Sequence, residues 1–82
     1  RVFTFSGTQL SVNYSTSAPG GLRFKLEDPG GAPLAESAEL IGDQVERKVA
    51  WRGLDSLSRW AGQPVRLRVE LKDADLYSLR FV

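Results

Sequence analysis

The sequence predicts an all-β fold: a compact antiparallel β-sandwich, jelly-roll-like, with one short helical turn near residues 55–61. Three observations carry that prediction. Apolar residues alternate with polar ones at Leu10, Val12 and Tyr14, at Leu22, Phe24 and Leu26, at Val65, Leu67, Val69 and Leu71, and at Tyr77, Leu79 and Phe81. Period-two alternation gives an extended segment one apolar face. Clusters of Gly, Pro and Asp punctuate these segments, above all Asp28-Pro29-Gly30-Gly31, and such clusters mark turns. Helical spacing occurs only around Leu54, Leu57, Trp60 and Ala61. Several one-sided strands need a common interior, which two layers about 10 Å apart provide.

Each element follows in order. Val2 to Phe5 is a short candidate strand ended by Ser6-Gly7. Gln9 to Ser15 reads as a strand whose polar face, Gln9, Ser11, Asn13 and Ser15, is uncharged, so its edge is the least protected against pairing with another chain. Ser15 to Gly21 supplies turn residues without periodicity and is expected to be a loop. Leu22 to Glu27 is the next strand. Ala32 to Gln44 is irregular, with a short strand expected around Ala38–Ile41. In Gln44 to Arg52, Val45, Val49 and Trp51 share a face that Arg47 interrupts, which places Arg47 at an edge or a bulge. Asp55 or Ser56 is expected to cap the helical turn, and Gly62 and Pro64 to stop it. The polar stretch Lys72–Asp75 between the last two apolar rows reads as the turn of a C-terminal hairpin.

A chain of 82 residues suits one domain, here 1–82. It begins Arg1-Val2-Phe3 without Met and reads as a domain excised from a longer chain. Eleven Lys and Arg against ten Asp and Glu give a net charge of +1. That balance offers no bulk field to draw in nucleic acid or a membrane surface, so neither partner is expected. The chain has no His and no Cys, so nucleophile–histidine catalysis and the usual zinc sites lack their components and no enzymatic activity is expected of the domain. Gly20-Gly21 and Gly30-Gly31 do not sit between a strand and a helix, as phosphate binding would require.

Three sets of residues are candidates for contact. Asp73 and Asp75 have the composition of a turn closed by side-chain-to-backbone hydrogen bonds. The alternative is that, with Asp28 or Asp43, they hold calcium through carboxylate and carbonyl oxygens, the one cofactor considered. Trp51 ends a strand just before Arg52-Gly53, where a ring over the sandwich rim would cover the apolar face of a sugar or touch a partner domain. Arg66, Arg68 and Arg80 project from the outward face of the last strands. Such charges form a solvated, aggregation-resistant surface or make bidentate contacts to carboxylates of a neighbouring domain or an acidic glycan.

The pieces Gly42-Asp43-Gln44-Val45-Glu46-Arg47, Trp51-Arg52-Gly53, Ala61-Gly62-Gln63-Pro64-Val65-Arg66-Leu67-Arg68 and Leu71-Lys72-Asp73-Ala74-Asp75-Leu76-Tyr77-Ser78-Leu79-Arg80-Phe81 form a combined pattern over residues 20 to 82. It resembles the all-β module at the C-terminal end of secreted bacterial proteins that carry a β-propeller similar to glycoside hydrolase family 32. The chain departs from that pattern at Trp60, where a smaller apolar residue is expected. The resemblance implies an extracellular or periplasmic, non-catalytic accessory module that covers or braces a carbohydrate-active domain of the same polypeptide. Any catalytic carboxylates would then belong to the propeller, and no catalytic residue transfers to this chain. Carbohydrate binding through an exposed aromatic, and self-association through exposed sheet edges, are the two alternative readings.

Overall fold

The computed structural model describes residues 2–82, and among them lie four strands and one 3₁₀ turn: β1 (Leu10–Glu27), β2 (Pro33–Glu36), β3 (Gln44–Lys48), the 3₁₀ turn Ser58–Trp60 and β4 (Arg66–Phe81). All strand pairing is antiparallel and the fold is all-β. β1 lies in the middle. β4 follows it along one side, while on the other β3 covers Ser11–Tyr14 and β2 covers Lys25–Glu27. Of Gln9–Ser15, expected to offer a free edge, Ser11–Tyr14 is therefore flanked on both sides.

The expected C-terminal hairpin is replaced by one strand of 16 residues, and the expected loop at Ser15–Gly21 lies inside a strand of 18. The reason is a better partner. Both apolar rows of β4 find matching rows on β1, with Leu67, Val69 and Leu71 opposite Leu26, Phe24 and Leu22, and with Leu79 and Phe81 opposite Val12 and Leu10. Lys72–Asp75 thus bends a strand without reversing it.

This long ribbon makes the sandwich by folding on itself. Straight, 16 residues of strand would extend about 50 Å, yet the longest dimension of the molecule is 35 Å. The bend lies where Thr16 pairs with Ala74 and Gly21 with Lys72, so that Ser17–Gly20 bulge out opposite Asp73 alone. Asp73 has φ 48°, a left-handed conformation that Asp adopts more readily than most residues. A Cβ on Gly20 would run into the carbonyl oxygens of Lys72 and Asp73, so the two strands can approach this closely only at a glycine.

Folding the ribbon brings its two inward faces together. Leu10, Val12 and Tyr14 from one half share a buried core with Leu22, Phe24 and Leu26 from the other, joined by Phe5, Leu40, Val49, Trp51, Leu57 and Val65. The open end is closed by the first described residues. Phe3 exchanges backbone hydrogen bonds of 2.8 and 2.9 Å with Val65, before the start of β4. Its ring lies 5.8 Å from Phe81, at the strand's other end, while Phe5 stacks on Phe81 at 4.4 Å.

The connections are as local chemistry dictates, with two corrections. Asp28 closes the β1–β2 turn by accepting from Gly31 N–H at its carbonyl and from Ala32 N–H at its carboxylate, both at 2.9 Å. β2 then starts at Pro33, before the strand expected at Ala38–Ile41, where only an isolated bridge joins Leu40 to Leu22. The 3₁₀ turn starts after Leu57 with no side-chain cap, so neither Asp55 nor Ser56 serves as the expected N-cap.

Candidate docking surface

The two halves of the ribbon present different outer faces. In the half built from Gly21–Glu27 and Arg66–Lys72, the outward residues are charged and in regular register: Arg23 opposite Glu70, Lys25 opposite Arg68 and Glu27 opposite Arg66. The ion pairs run diagonally across this ladder, with Lys25 Nζ 3.4 Å from Glu70 Oε2 and Arg68 Nε 3.5 Å from Glu27 Oε2. Each diagonal pair relieves the like-charge apposition of Lys25 and Arg68. Arg66 is half-buried, and its Nε has no acceptor among the described residues.

In the half built from Leu10–Thr16 and Ala74–Phe81, both flanking strands slip beside Asn13. On β4, Tyr77 is the extra residue between Ser78, opposite Asn13, and Leu76, opposite Tyr14. On β3, Val45 and Glu46 together span the single residue Asn13, and Glu46 has φ 54°. A bulge beside Arg47 is what its interruption of the apolar row predicted. Asn13 compensates for both slips. Its Oδ1 accepts from Glu46 N–H at 2.7 Å, and its Nδ2 donates to Ser78 Oγ. Arg80 Nη2 reaches Glu46 Oε1 at 3.2 Å across the central strand.

The bulges turn apolar side chains outward. Tyr77 is 69 % exposed and Val45 80 %, although both were expected in buried rows. Ile41, 65 % exposed, lies apart from the bulges at the far end of the Tyr14 side chain, where its carbonyl accepts the Tyr14 hydroxyl at 2.9 Å. Val45 and Tyr77 flank the same residue of β1, Asn13, from its two sides.

The sequence-predicted residues fall in separate places. Trp51 is not at the rim: it is 5 % exposed, bridged through its backbone to Ser37 and Leu54 and packed in the core, and its Nε1 has no acceptor among the described residues. The strand that would have carried its ring outward ends at Lys48, and the chain then pairs with the end of β2 instead, Ala38 N–H donating to the Ala50 carbonyl and Arg52 N–H to that of Glu36. Arg66 and Arg68 lie together in the charged half, whereas Arg80 belongs to the bulged half and is paired with Glu46. Asp73 and Asp75 are exposed within β4 and not in a tight turn. Asp43 accepts from Ser15 Oγ at 2.9 Å and Thr16 N–H at 3.2 Å, and Asp28 serves its own turn. No three acidic, His or Cys side chains converge among the described residues, so the structure does not bring the aspartates named for calcium together.

Sequence reasoning missed the exposure of Ile41, Val45 and Tyr77. For Tyr77 a signal was present: Leu76-Tyr77 is an apolar doublet inside an alternating row, which is what a bulge leaves behind. No helix among the described residues is long and apolar enough to cross a membrane. Compared with protein families, with curated proteins and with solved structures, the chain matches none.

Proposed function

We propose that this chain is a non-catalytic accessory module that braces a neighbouring domain of the same polypeptide, docking through the bulged half of its ribbon. The observation that carries the reading is the shared location of Val45 and Tyr77, each well over half exposed, on the two sides of Asn13. Single exposed apolar residues are ordinary; a neighbouring pair begins a patch of the kind that marks an interaction site. Arg80 and Glu46 give the patch a charged border, which suits the polar rim of a docking surface. The resemblance to the C-terminal modules beside glycoside hydrolase propellers makes a carbohydrate-active, secreted parent the fitting context.

Amide hydrogen exchange in the full-length polypeptide and in the 82-residue chain tests this reading. Docking slows exchange across 41–46 and 76–80 in the full-length protein relative to the chain alone. Equal exchange in both overturns it.

A second reading has one observation in its favour. Tyr77 is an exposed ring beside the polar Asn13–Ser78 and Arg80–Glu46 pairs, the combination of flat apolar face and hydrogen-bonding neighbours that holds a sugar. Calorimetric titration of the chain and of Tyr77→Ala with a panel of oligosaccharides separates the two. Heat that disappears in the variant replaces Trp51 by Tyr77 as the sugar-contacting aromatic, and silence across the panel removes this reading.

A further inference from the structure

We infer that two copies of this chain pair edge to edge through β4, antiparallel about a two-fold axis at Val69. The inference concerns the charged half of the ribbon and is independent of docking through the bulged half. Its first support is the direction of the backbone groups. Leu22 exchanges both of its backbone hydrogen bonds with Leu40, at 2.8 and 3.0 Å, on the side away from β4. Leu71, its partner on β4, therefore directs its own N–H and C=O away from β1, and alternation along an antiparallel pair assigns the same direction to Val69 and Leu67. Val65 fits this phase, because both its groups are taken by Phe3. Among the described residues β4 pairs with β1 alone, so Leu67, Val69 and Leu71 present free donors and acceptors on an open edge, a template for another strand.

The second support is where that edge starts and stops. Phe3 occupies it at Val65, and the left-handed Asp73 kinks it at the other end. The usable stretch is Arg66–Lys72, and its midpoint is Val69.

The third support is the side-chain code. Pairing about Val69 sets Leu67 against Leu71 of the second copy and Val69 against itself. Both copies' partly covered apolar rows, including Leu71 at 51 % exposure, then run on as one. On the other face Arg68 stands opposite Glu70 of the second copy, twice by symmetry. Joined to the existing Glu27–Arg68 and Lys25–Glu70 pairs, this makes a row of alternating charge from one β1 to the other. Antiparallel pairing keeps like faces together only if the register shifts in steps of two. One step either way puts Arg68 opposite Arg68 or Glu70 opposite Glu70, and pairs only two of Leu67, Val69 and Leu71 in each copy where the Val69 register pairs all three. The backbone thus selects this register, in which the basic Arg66 and Lys72 meet at the two ends of the stretch. The surface covered is small, which makes the association weak and concentration-dependent.

Sedimentation equilibrium of the chain up to on the order of 1 mM tests the inference. The expected result is an apparent mass that rises from 9.1 kDa toward twice that value. Arg68→Glu and Glu70→Arg should each remain at the monomer mass, because each sets like charges opposite one another twice. An equimolar mixture of the two should recover association, as should the double variant, since both restore opposite charges in the same register. Val69→Pro, which removes a donor pointing off the edge and no hydrogen bond to β1, should abolish association, with near-ultraviolet circular dichroism confirming a native fold. Tyr77→Asp, in the other half, should associate like the wild type. A wild type at the monomer mass throughout overturns the inference. So do single variants that associate like the wild type, or a mixture that stays monomeric while the wild type does not.

Discussion

The two halves of one ribbon solve the same problem in opposite ways. Where Leu22, Phe24 and Leu26 face Leu71, Val69 and Leu67, the register never slips, every second residue is apolar and the outer face is a ladder of ion pairs. Where Leu10, Val12 and Tyr14 face β4, the neighbouring strands slip on both sides of Asn13, and the outer face is partly apolar with the Arg80–Glu46 ion pair beside it. The same two strands form both halves, which differ in the residues of their outer faces and in register. Keeping register keeps the apolar row of the central strand inside. Losing it by one residue at Tyr77 and at Val45 delivers apolar side chains to the surface, which is where a docking patch has to be.

The strongest way to test that contrast compares two aromatic residues that both sit in period-two apolar rows of the sequence. Phe24 is fully buried in the regular half, and Phe24→Ala should cost about 3–5 kcal/mol in urea denaturation. For a domain of this size, with stability of roughly 4–12 kcal/mol, that loss removes much or all of the folded state. Tyr77→Ala should change stability by no more than about 0.5 kcal/mol, as for other surface positions. A large loss at Tyr77 would mean that the bulge does not turn it outward.

The bend that separates the halves should be the next most sensitive point. Gly20→Ala places a methyl group against the carbonyl oxygens of Lys72 and Asp73; both are backbone atoms, which cannot yield as a flexible side chain would. Overpacking of this kind costs about 1–3 kcal/mol. The midpoint of thermal unfolding should fall accordingly, and an unchanged midpoint would show that the ribbon opens at the bend at little cost.

How far these features were legible in the sequence follows from the same comparison. Alternation identifies which face of a strand is buried, and it did so for Leu10, Val12, Tyr14, Leu22, Phe24 and Leu26. It does not identify the partner. Val65–Leu71 and Tyr77–Phe81 looked like each other's neighbours across Lys72–Asp75, because residues that tolerate a left-handed conformation serve a bend in one strand as well as a reversal between two. Only the matching rows on β1 decide between these. The bulges broke the reading again: at Tyr77 the phase resets, so Leu79 and Leu76 face the same way although their spacing is odd. Trp51 was misplaced for a related reason. A position at the end of a strand says nothing about whether the chain then leaves the sheet or pairs with another part of it.

The bulged half stands on a neutral side chain where the regular half uses charges, and this sets a third measurement. Asn13→Ala leaves Glu46 N–H and Ser78 Oγ to water, and should cost about 0.5–1.5 kcal/mol, the net worth of ordinary hydrogen bonds, since both partners are exposed. Asn13→Asp keeps the acceptor for Glu46 N–H but loses the donor for Ser78, so it should recover part of the loss. Full recovery would show that only the β3 bulge depends on Asn13.

The smallest effect distinguishes the halves by salt. Lys25–Glu70 is a partly exposed pair, so its coupling in a double-mutant cycle should be about 0.2–1 kcal/mol. Raising salt from 0.1 to 1 M shortens the screening length from about 10 to about 3 Å and should reduce that coupling. The Asn13–Ser78 coupling involves no net charge and should keep its value over the same range. If both couplings fell together, the ion-pair ladder and the Asn13 network would be parts of one cooperative surface. Unequal responses would mean that the bend at Gly20 and Asp73 insulates them, leaving one ribbon free to carry two interaction surfaces tuned by different chemistry.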